Sequence, residues 1–238
     1  MSEGRASESE AERASSRRAF LLRRLHSLSG VVPVGVFLIA HLWTNASALG
    51  GREPFDHAVD GLQKLPVLPL IEVFGVLLPL AFHALFGVYL ATAGRPNVAR
   101  YSHGRNWAYV FQRVTGIVAF LFVMVHLWEL RVQKWLFGMS HHAFYDTLVS
   151  HLSTVKLGIP IWAVMYLVGI AASVFHLANG LVTFTMSWGV VTSRRAQNRI
   201  AVAAAGVGIV LFLLGASTVL SLSTGSLLPS PAAEKPCP

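Results

Sequence analysis

The stretch VVPVGVFLIAHLWTNASALG occupies residues 31–50 and is apolar apart from one histidine, His41, and a few small polar residues. About 20 apolar residues in a row are enough for a helix to cross a bilayer. Working outward from this stretch, we count five such runs, at about residues 28–49, 68–93, 107–130, 157–185 and 200–222. More than half of the 238 residues are hydrophobic and 13% are charged, as is typical of membrane proteins. The sequence therefore predicts an all-α membrane protein, a bundle of five transmembrane helices.

The basic residues lie mainly between these runs. Thirteen of the nineteen Lys and Arg fall in the N-terminal segment, in the loop after the second run and in the loop after the fourth run. Since positively charged loops are retained in the cytoplasm, we expect a multi-pass protein with its N-terminus in the cytoplasm and its C-terminus outside. Membrane topology thus accounts for the net charge of +8, and we predict no binding of nucleic acid.

The two ends of the chain differ from the rest in composition. Residues 1–16 mix Ser, Glu, Arg and Ala without apolar periodicity, and the last residues are rich in Pro and Ser. We predict disordered tails at 1–16 and 223–238 around a membrane domain at 17–222. The first apolar run is too long for a signal peptide, so we expect it to stay in the protein. A short helix on the outer surface is predicted over residues 139–152.

Four of the ten histidines lie inside apolar runs, where an ionisable side chain is costly and therefore usually functional. They are His41, His83, His126 and His176, one on each of the first four runs. The motif FxxxHLW surrounds His41 and His126, and the motif FHxxxG surrounds His83 and His176. A rise of about 1.5 Å per residue places the first pair in the outer half of the bilayer and the second in the inner half. Sequence context and depth therefore give the same two pairs.

Two imidazoles that face each other from different helices can fill both axial positions of a haem iron. We predict two b-type haems at different depths. The outer haem is expected between His41 and His126, and the inner haem between His83 and His176. A haem with both axial positions filled carries electrons and does not bind oxygen, so two of them form an electron path across the membrane. The single cysteine, Cys237, lies in the C-terminal tail, which excludes a c-type haem attachment and Cys-ligated clusters.

A glycine follows each histidine of the inner pair by four residues. Gly87 and Gly180 lie on the same helix face as these histidines and would let a porphyrin approach the backbone. Ordinary close packing of helices is the alternative for both glycines. The other six histidines fall in or beside loops, where solvated or interfacial positions are favoured. They are His26, His57, His103, His141, His142 and His151. The neighbours His141 and His142 are a weak signal for a metal site, because the sequence shows no carboxylate or cysteine partner for them.

Several segments resemble a known family. They are RRLHSLSG at 23–30, VPVG at 32–35, FLIAH at 37–41, LPLAFHA at 78–84, QRVTG at 112–116 and FHLANG at 175–180. Together they resemble, over about residues 20–222, the single-chain, five-helix, two-haem cytochrome b subunit of bacterial succinate dehydrogenases and the related fumarate reductases. In that family the histidines matching His41 and His126 ligate the distal haem, and those matching His83 and His176 ligate the proximal haem.

The resemblance implies an anchor in the bacterial inner membrane that carries electrons between an iron-sulfur subunit and a membrane quinone, usually menaquinone. It also implies a flavoprotein partner that holds the dicarboxylate site, so none is expected in this chain. The direction of electron flow depends on potentials that the sequence does not fix. A proton or metal transporter built on histidines is the alternative. It requires histidines linked by carboxylates or hydroxyls, whereas aromatic and aliphatic residues separate these four.

Polar residues at the cytoplasmic ends of the first and third runs are candidate partners for the anionic propionates of the inner haem. They are Arg23, Arg24, His26, Ser27, Gln112 and Arg113. Gln112 and Arg113 are the stronger candidates because they lie closer to the span. For Arg23 and Arg24, positive-inside topology with snorkelling is a sufficient explanation.

Reduction of a quinone takes up two protons, so we expect an ionisable group at the membrane edge near the outer haem. Glu72, at the outer end of the second run, is the first candidate, and Glu129, at the outer end of the third run, is the second. Asp56 and Asp60 in the first outer loop are further candidates. Each has an ordinary alternative. Glu72 is a favourable acid near a helix N-terminus, Glu129 can pair with the basic residues that follow it, and the two aspartates can be solvated.

Overall fold

The structure is a computed structural model that describes residues 2–94, 98, 100 and 103–225. Its regular secondary structure is entirely helical over these residues. The helices, numbered in chain order, are α1 (Glu12–Gly50), α2 (Arg52–Gln63), α3 (Leu68–Ala93), α4 (Gly104–Phe137), α5 (Phe144–Ser153), α6 (Ile161–Ser187) and α7 (Arg194–Thr224). Five of them, α1, α3, α4, α6 and α7, are long and apolar enough to cross a membrane. The predicted fold class and the number of spanning helices are confirmed.

The first helix starts earlier than the sequence suggested. The chain is helical from Ser2 to Ser29 and continues through α1, whereas a disordered tail was predicted over residues 1–16. Ala, Glu and Arg are good helix formers, and this segment contains no proline, so its local propensity favours a helix. Its residues 12–20 are all exposed. The predicted outer tail lies outside the described residues beyond residue 225.

Three of the spanning helices contain a π-helical segment. These segments are Gly30–Gly35 in α1, Ile71–Leu77 in α3 and Leu127–Val132 in α4. The first contains Pro33, which lacks the N–H that a regular α-helix would use at that position. Inserted π turns change which face a side chain occupies and are frequent at functional sites. The other two contain the predicted quinone-site acids, Glu72 and Glu129.

The best-packed part of the bundle is the contact between α6 and α7. A methyl group added at Gly208 would lie 3.2 Å from the Cβ of Ala178, and one added at Gly215 would lie 3.0 Å from a methyl of Ile170. Small residues let helix backbones approach closely, which is the usual basis of helix packing in membranes. In contrast, α3 has no buried residue. Large apolar side chains such as Trp43 are exposed on the outside of the bundle, where lipid would cover them.

Two short helices cover one end of the bundle, which we call the outer cap. Helix α2 joins α1 to α3, and α5 lies between α4 and α6. They meet through the rings of Phe55 and Tyr145, whose centroids are 5.7 Å apart, and through an ion pair between Arg52 and Asp146. The predicted surface helix over residues 139–152 is therefore present as α5, while α2 was not predicted.

Candidate functional site

The structure brings together the two histidines predicted to form the inner pair. The ring centroids of His83 on α3 and His176 on α6 are 5.9 Å apart, and the ring planes are nearly perpendicular at 83°. Bonds of about 2 Å from a metal to two imidazole nitrogens, with the widths of the rings, would put the two centroids roughly 6 Å apart. The separation in the structure therefore suits a metal ion between the rings.

Hydrogen bonds indicate which nitrogen of each inner histidine carries the hydrogen. The Nδ1 of His83 lies 3.0 Å from the carbonyl oxygen of His26, and the Nδ1 of His176 lies 2.9 Å from the carbonyl oxygen of Gln112. Because a carbonyl oxygen only accepts, both Nδ1 atoms carry the hydrogen. In a neutral ring the lone pair is then on Nε2. This arrangement is the usual one for a histidine that binds a metal.

The side chain of Gln112 on α4 lies against the Nε2 of His176. Its amide nitrogen is 3.3 Å from this Nε2 and donates to the carbonyl oxygen of His176 at 3.1 Å. Its amide oxygen accepts a hydrogen bond of 2.7 Å from Asn179. A metal ion bound to Nε2 of His176 would take the place of the Gln112 amide. Gln112 thus lies beside the inner histidine pair, where its partners are His176 and Asn179.

Glycines line both inner histidines, but they are mostly not the two that the sequence singled out. A methyl group added at Gly30 would lie 2.2 Å from Cε1 of His83, and one at Gly116 would lie 2.9 Å from Cε1 of His176. The predicted Gly87 faces His26 instead, at 3.1 Å, and Gly180 faces the Gln112 amide at 3.5 Å. Gly30 and Gly116 were missed because they lie on neighbouring helices and not one turn from a histidine.

The inner end of the site has two buried nitrogens without a hydrogen-bond partner among the described residues. They are Nδ1 of His26 and Nε of Arg113. The ring of His26 stacks on that of His83 at 4.1 Å, so His26 lies against the inner pair at a partly buried position. The guanidinium of Arg113 lies 3.5 Å from the ring centre of Tyr109. Buried polar atoms without partners are rare and call for an explanation, and the anionic propionates of a haem would suit such positions.

The remaining residues predicted for the inner face are less informative. Ser27 is partly buried next to His26. Arg24 lies over the rings of Phe20 and Trp188, at 5.0 and 4.8 Å from their centres. This is the snorkelled, amphipathic position that topology alone would give an arginine at a membrane edge.

The outer pair is also assembled. The ring centroids of His41 on α1 and His126 on α4 are 5.6 Å apart at an angle of 74°. The ring of Phe37 packs on that of His41 at 5.2 Å, and the ring of Phe122 packs on that of His126 at 5.8 Å. The phenylalanine of the repeated motif therefore packs on the histidine ring in both helices. The amide of Asn45 lies 3.3 Å from Nε2 of His41 and donates to its carbonyl oxygen.

A chain of hydrogen bonds leads from His126 to the outer cap. The hydroxyl of Tyr166 on α6 donates to Glu129 at 2.5 Å, so its oxygen accepts from Nδ1 of His126 at 3.2 Å. The other carboxylate oxygen of Glu129 accepts from Nδ1 of His151 on α5 at 3.0 Å. Glu129 is buried, while the side chain of His151 is 41% exposed. The buried histidine is thus connected to the surface through one hydroxyl and one carboxylate.

The other acidic candidates have different partners. Glu72 forms an ion pair with Arg131, and both side chains are largely buried. Glu129 was considered as a partner of Arg131 or Lys134, but the structure pairs it with Tyr166 and His151 instead. Asp56 lies 3.9 Å from Arg52.

Two pairs of facing imidazoles at two levels of a membrane helix bundle are typical of membrane cytochromes b, which hold haem iron between histidines of different helices. On α1, His26 contacts the inner pair and His41 belongs to the outer pair. These two residues are 15 positions apart, or about 22 Å along the helix axis. The lone pairs, the close glycines and the unpartnered inner nitrogens all fit such a group.

Comparisons with known proteins agree with this class. A family model described as succinate dehydrogenase/fumarate reductase transmembrane subunit matches residues 91–215. The chain is 41% identical over 183 residues to the succinate dehydrogenase cytochrome b558 subunit of Bacillus subtilis (strain 168), an alignment that covers 77% of this chain and 87% of the relative. No solved structure matches the chain. The chain belongs to the family of succinate dehydrogenase and fumarate reductase transmembrane subunits, and it is a cytochrome b membrane anchor of such an oxidoreductase.

Proposed function

We propose that the chain carries electrons through two b-type haems between an iron-sulfur subunit and a membrane quinone. The observation that supports this most directly is the pairing of His83 with His176 and of His41 with His126. The partners would be the flavoprotein and iron-sulfur subunits of the complex, the membrane would be the bacterial inner membrane with the N-terminus in the cytoplasm, and the quinone would be menaquinone. The dicarboxylate site would lie in the flavoprotein.

The haems would supply one-electron chemistry, and the chain's own residues would position and tune them. The Nδ1–H groups of His83, His176 and His126 are held by oxygen acceptors, which fixes each ring and leaves Nε2 for the iron. With two histidines holding each haem, the groups would serve electron transfer. His26 and Arg113 would hold the propionates of the inner haem, and Gln112 would turn from Nε2 of His176 toward the same propionates.

A reduced-minus-oxidised absorption spectrum of the purified chain tests this function directly. We expect the bands of low-spin b-type haem and a content of two haems per chain. A histidine-based transporter would show no such bands. The structure removes one argument against the transporter, because His126 is joined to a hydroxyl and a carboxylate. This chain of groups does not, however, continue to His83 or His176 in the described part of the protein.

The unpartnered Nε of Arg113 gives a prediction for the inner haem. In an Arg113→Leu variant we expect a lower midpoint potential for this haem, because a nearby cation stabilises the reduced state relative to the more positive oxidised state. A redox titration followed by absorbance would measure it. Arg105→Leu is a matched control, since Arg105 lies on the same helix but bonds to Gln197 at an exposed position. An unchanged inner potential in the Arg113 variant would contradict the role proposed here.

The Tyr166–Glu129 contact gives a prediction for the outer haem. His126 donates a hydrogen bond to Tyr166, which is itself hydrogen-bonded to the carboxylate of Glu129. Such bonding makes a ligand histidine more basic, which would stabilise oxidised iron. We expect Tyr166→Phe to raise the outer midpoint potential by roughly 20–60 mV, the equivalent of one hydrogen bond. Both haems should remain bound. Tyr145→Phe is the control, because Tyr145 packs on Phe55 in the outer cap. Equal shifts in both variants would count against a specific role for Tyr166.

The outer site would also deliver protons to the quinone, with Glu129 and Glu72 as the candidate residues. Glu129 is the better placed, because His151 connects it to the surface. Glu72 is neutralised by Arg131, and a proton on Glu72 would break this ion pair. An open apolar groove of about 310 Å³ is lined by residues of α4 and α6, including Met165 and Phe122, whose ring contacts that of Tyr166. Such a lining suits the ring or tail of a quinone.

A further inference from the structure

The outer cap contains a cluster of metal-binding side chains that is separate from the two histidine pairs. Asp60 lies in the last turn of α2, and His141 and His142 form the turn just before α5. The Nε2 of His141 is 2.9 Å from a carboxylate oxygen of Asp60, and the Nδ1 of His142 is 3.7 Å from the same oxygen. One ligand atom from each of the three residues lies within 4.8 Å of the others.

From this geometry we propose that Asp60, His141 and His142 bind one divalent transition-metal ion, with Zn²⁺ as the expected ion. A tetrahedral ion with bonds of about 2 Å has ligand atoms roughly 3.3 Å apart. The two carboxylate–imidazole separations, 2.9 and 3.7 Å, lie on either side of this value, and the two imidazole nitrogens lie within 4.8 Å of each other. Rotation of the side chains would bring the three ligand atoms to the spacing that the ion requires.

The types of ligand decide which ions are suitable. Two imidazoles and one carboxylate are a common set for zinc sites that keep a fourth position for water. Imidazole also suits copper and nickel ions, whereas magnesium and calcium ions prefer oxygen ligands. The side chains of His141, Asp60 and His142 are 28%, 32% and 60% exposed. An ion can therefore enter from the aqueous side, and a water molecule can complete its coordination.

The two imidazole rings lie beside the carboxylate, with their centroids 4.1 Å apart. Only the 2.9 Å contact of His141 with Asp60 is short enough for a hydrogen bond. A single divalent ion would bind both imidazoles and the carboxylate together.

Metal binding at this position would connect two distant parts of the sequence. Asp60 and His141 are 81 residues apart, and an ion between them would fasten α2 to the start of α5. Helix α5 also carries His151, which bonds to Glu129. An occupied metal site would thus hold the outer cap closed over the outer histidine pair.

Equilibrium dialysis of the purified, assembled complex against Zn²⁺ tests this proposal. Other subunits can bind zinc as well, so the informative quantity is the difference between variants. We expect the His141→Ala/His142→Ala double variant to bind one Zn²⁺ fewer per chain than the wild type. Asp60→Asn should weaken this site at least about tenfold, since even partners beyond the metal's own ligands are worth 10–100-fold in affinity. An excess of Mg²⁺ should not displace the ion.

The matched control is His57→Ala, because His57 is an exposed histidine on the same short helix as Asp60. This variant should bind as much Zn²⁺ as the wild type. The haem spectrum of each variant verifies that the chain is folded. If the double variant does not assemble, His142→Ala alone provides the comparison, since this side chain is the most exposed of the three. Equal Zn²⁺ content in the wild type and in a folded variant would overturn the proposal.

Discussion

Replacing His83 or His176 with alanine is expected to reduce the haem content of the purified chain from two to one. The ring centroids are 5.9 Å apart, and the loss of either ring would leave the inner haem with only one histidine to hold it. The remaining haem should keep the spectrum and potential of the outer site. Replacing His41 or His126 should have the opposite result, with loss of the outer haem only. Haem extraction combined with a redox titration would identify which haem is lost.

The control for these four variants is His103→Ala, because His103 is exposed at the start of α4. Its haem content should stay at two. A content of two in any of the four ligand variants would contradict the assignment of that histidine. A loss of both haems would indicate that the two sites fold together. The same histidine should then be replaced with methionine, a bulkier side chain than alanine.

Quinone-linked succinate oxidation is expected to fall about a hundredfold or more in a Glu129→Gln variant, the range typical of a lost acid or base. Glutamine keeps the shape of Glu129 and the hydrogen bond from Tyr166, but it cannot carry a proton to the quinone. In Glu72→Gln we expect a smaller loss, because Glu72 is held in an ion pair with Arg131. Turnover with a quinone and turnover with an artificial dye would be compared in the same membranes.

Dye-linked turnover and the content of both haems serve as internal controls for the acid variants, since neither depends on quinone protonation. His151→Ala is a useful third variant, because it removes the exposed end of the chain but leaves Glu129 in place. If Glu129→Gln has normal quinone turnover and Glu72→Gln has none, the proton donor is Glu72. Normal turnover in both variants would exclude both acids.

The histidine pairs could be predicted from sequence because each pair shares a repeated sequence motif. The motifs around His41 and His126 are alike, and a histidine in an apolar run is unusual enough to be noticed. Tyr166 could not be found in this way, since it contacts Glu129 across 37 positions of the chain and lies in an ordinary apolar run. Asp60 could not be found from the sequence either. Its contacts His141 and His142 are far from it along the chain, and two adjacent histidines alone are only weak evidence for a metal site.

The ion-pair partners show a second limit of sequence reasoning. Arg131 lies two residues after Glu129, yet it pairs with Glu72 on another helix. The π-helical segment Leu127–Val132 changes the direction of these side chains, and no feature of the sequence specifies it. Helix boundaries also differ between sequence and structure. The third spanning helix extends to Phe137, whereas the apolar run ends at about residue 130.

The uneven packing of the bundle has a consequence for biogenesis. Helices α6 and α7 fit together through their own small residues, whereas α3 has no fully buried residue and contacts its neighbours through polar side chains, His83 with His26 and His176 and Glu72 with Arg131. A newly made chain would therefore form the α6–α7 hairpin without help, while α3 would dock more tightly once a cofactor joins His83 to His176. Insertion of the cofactor would then serve as a checkpoint, so that chains lacking it remain loosely folded and open to membrane proteases.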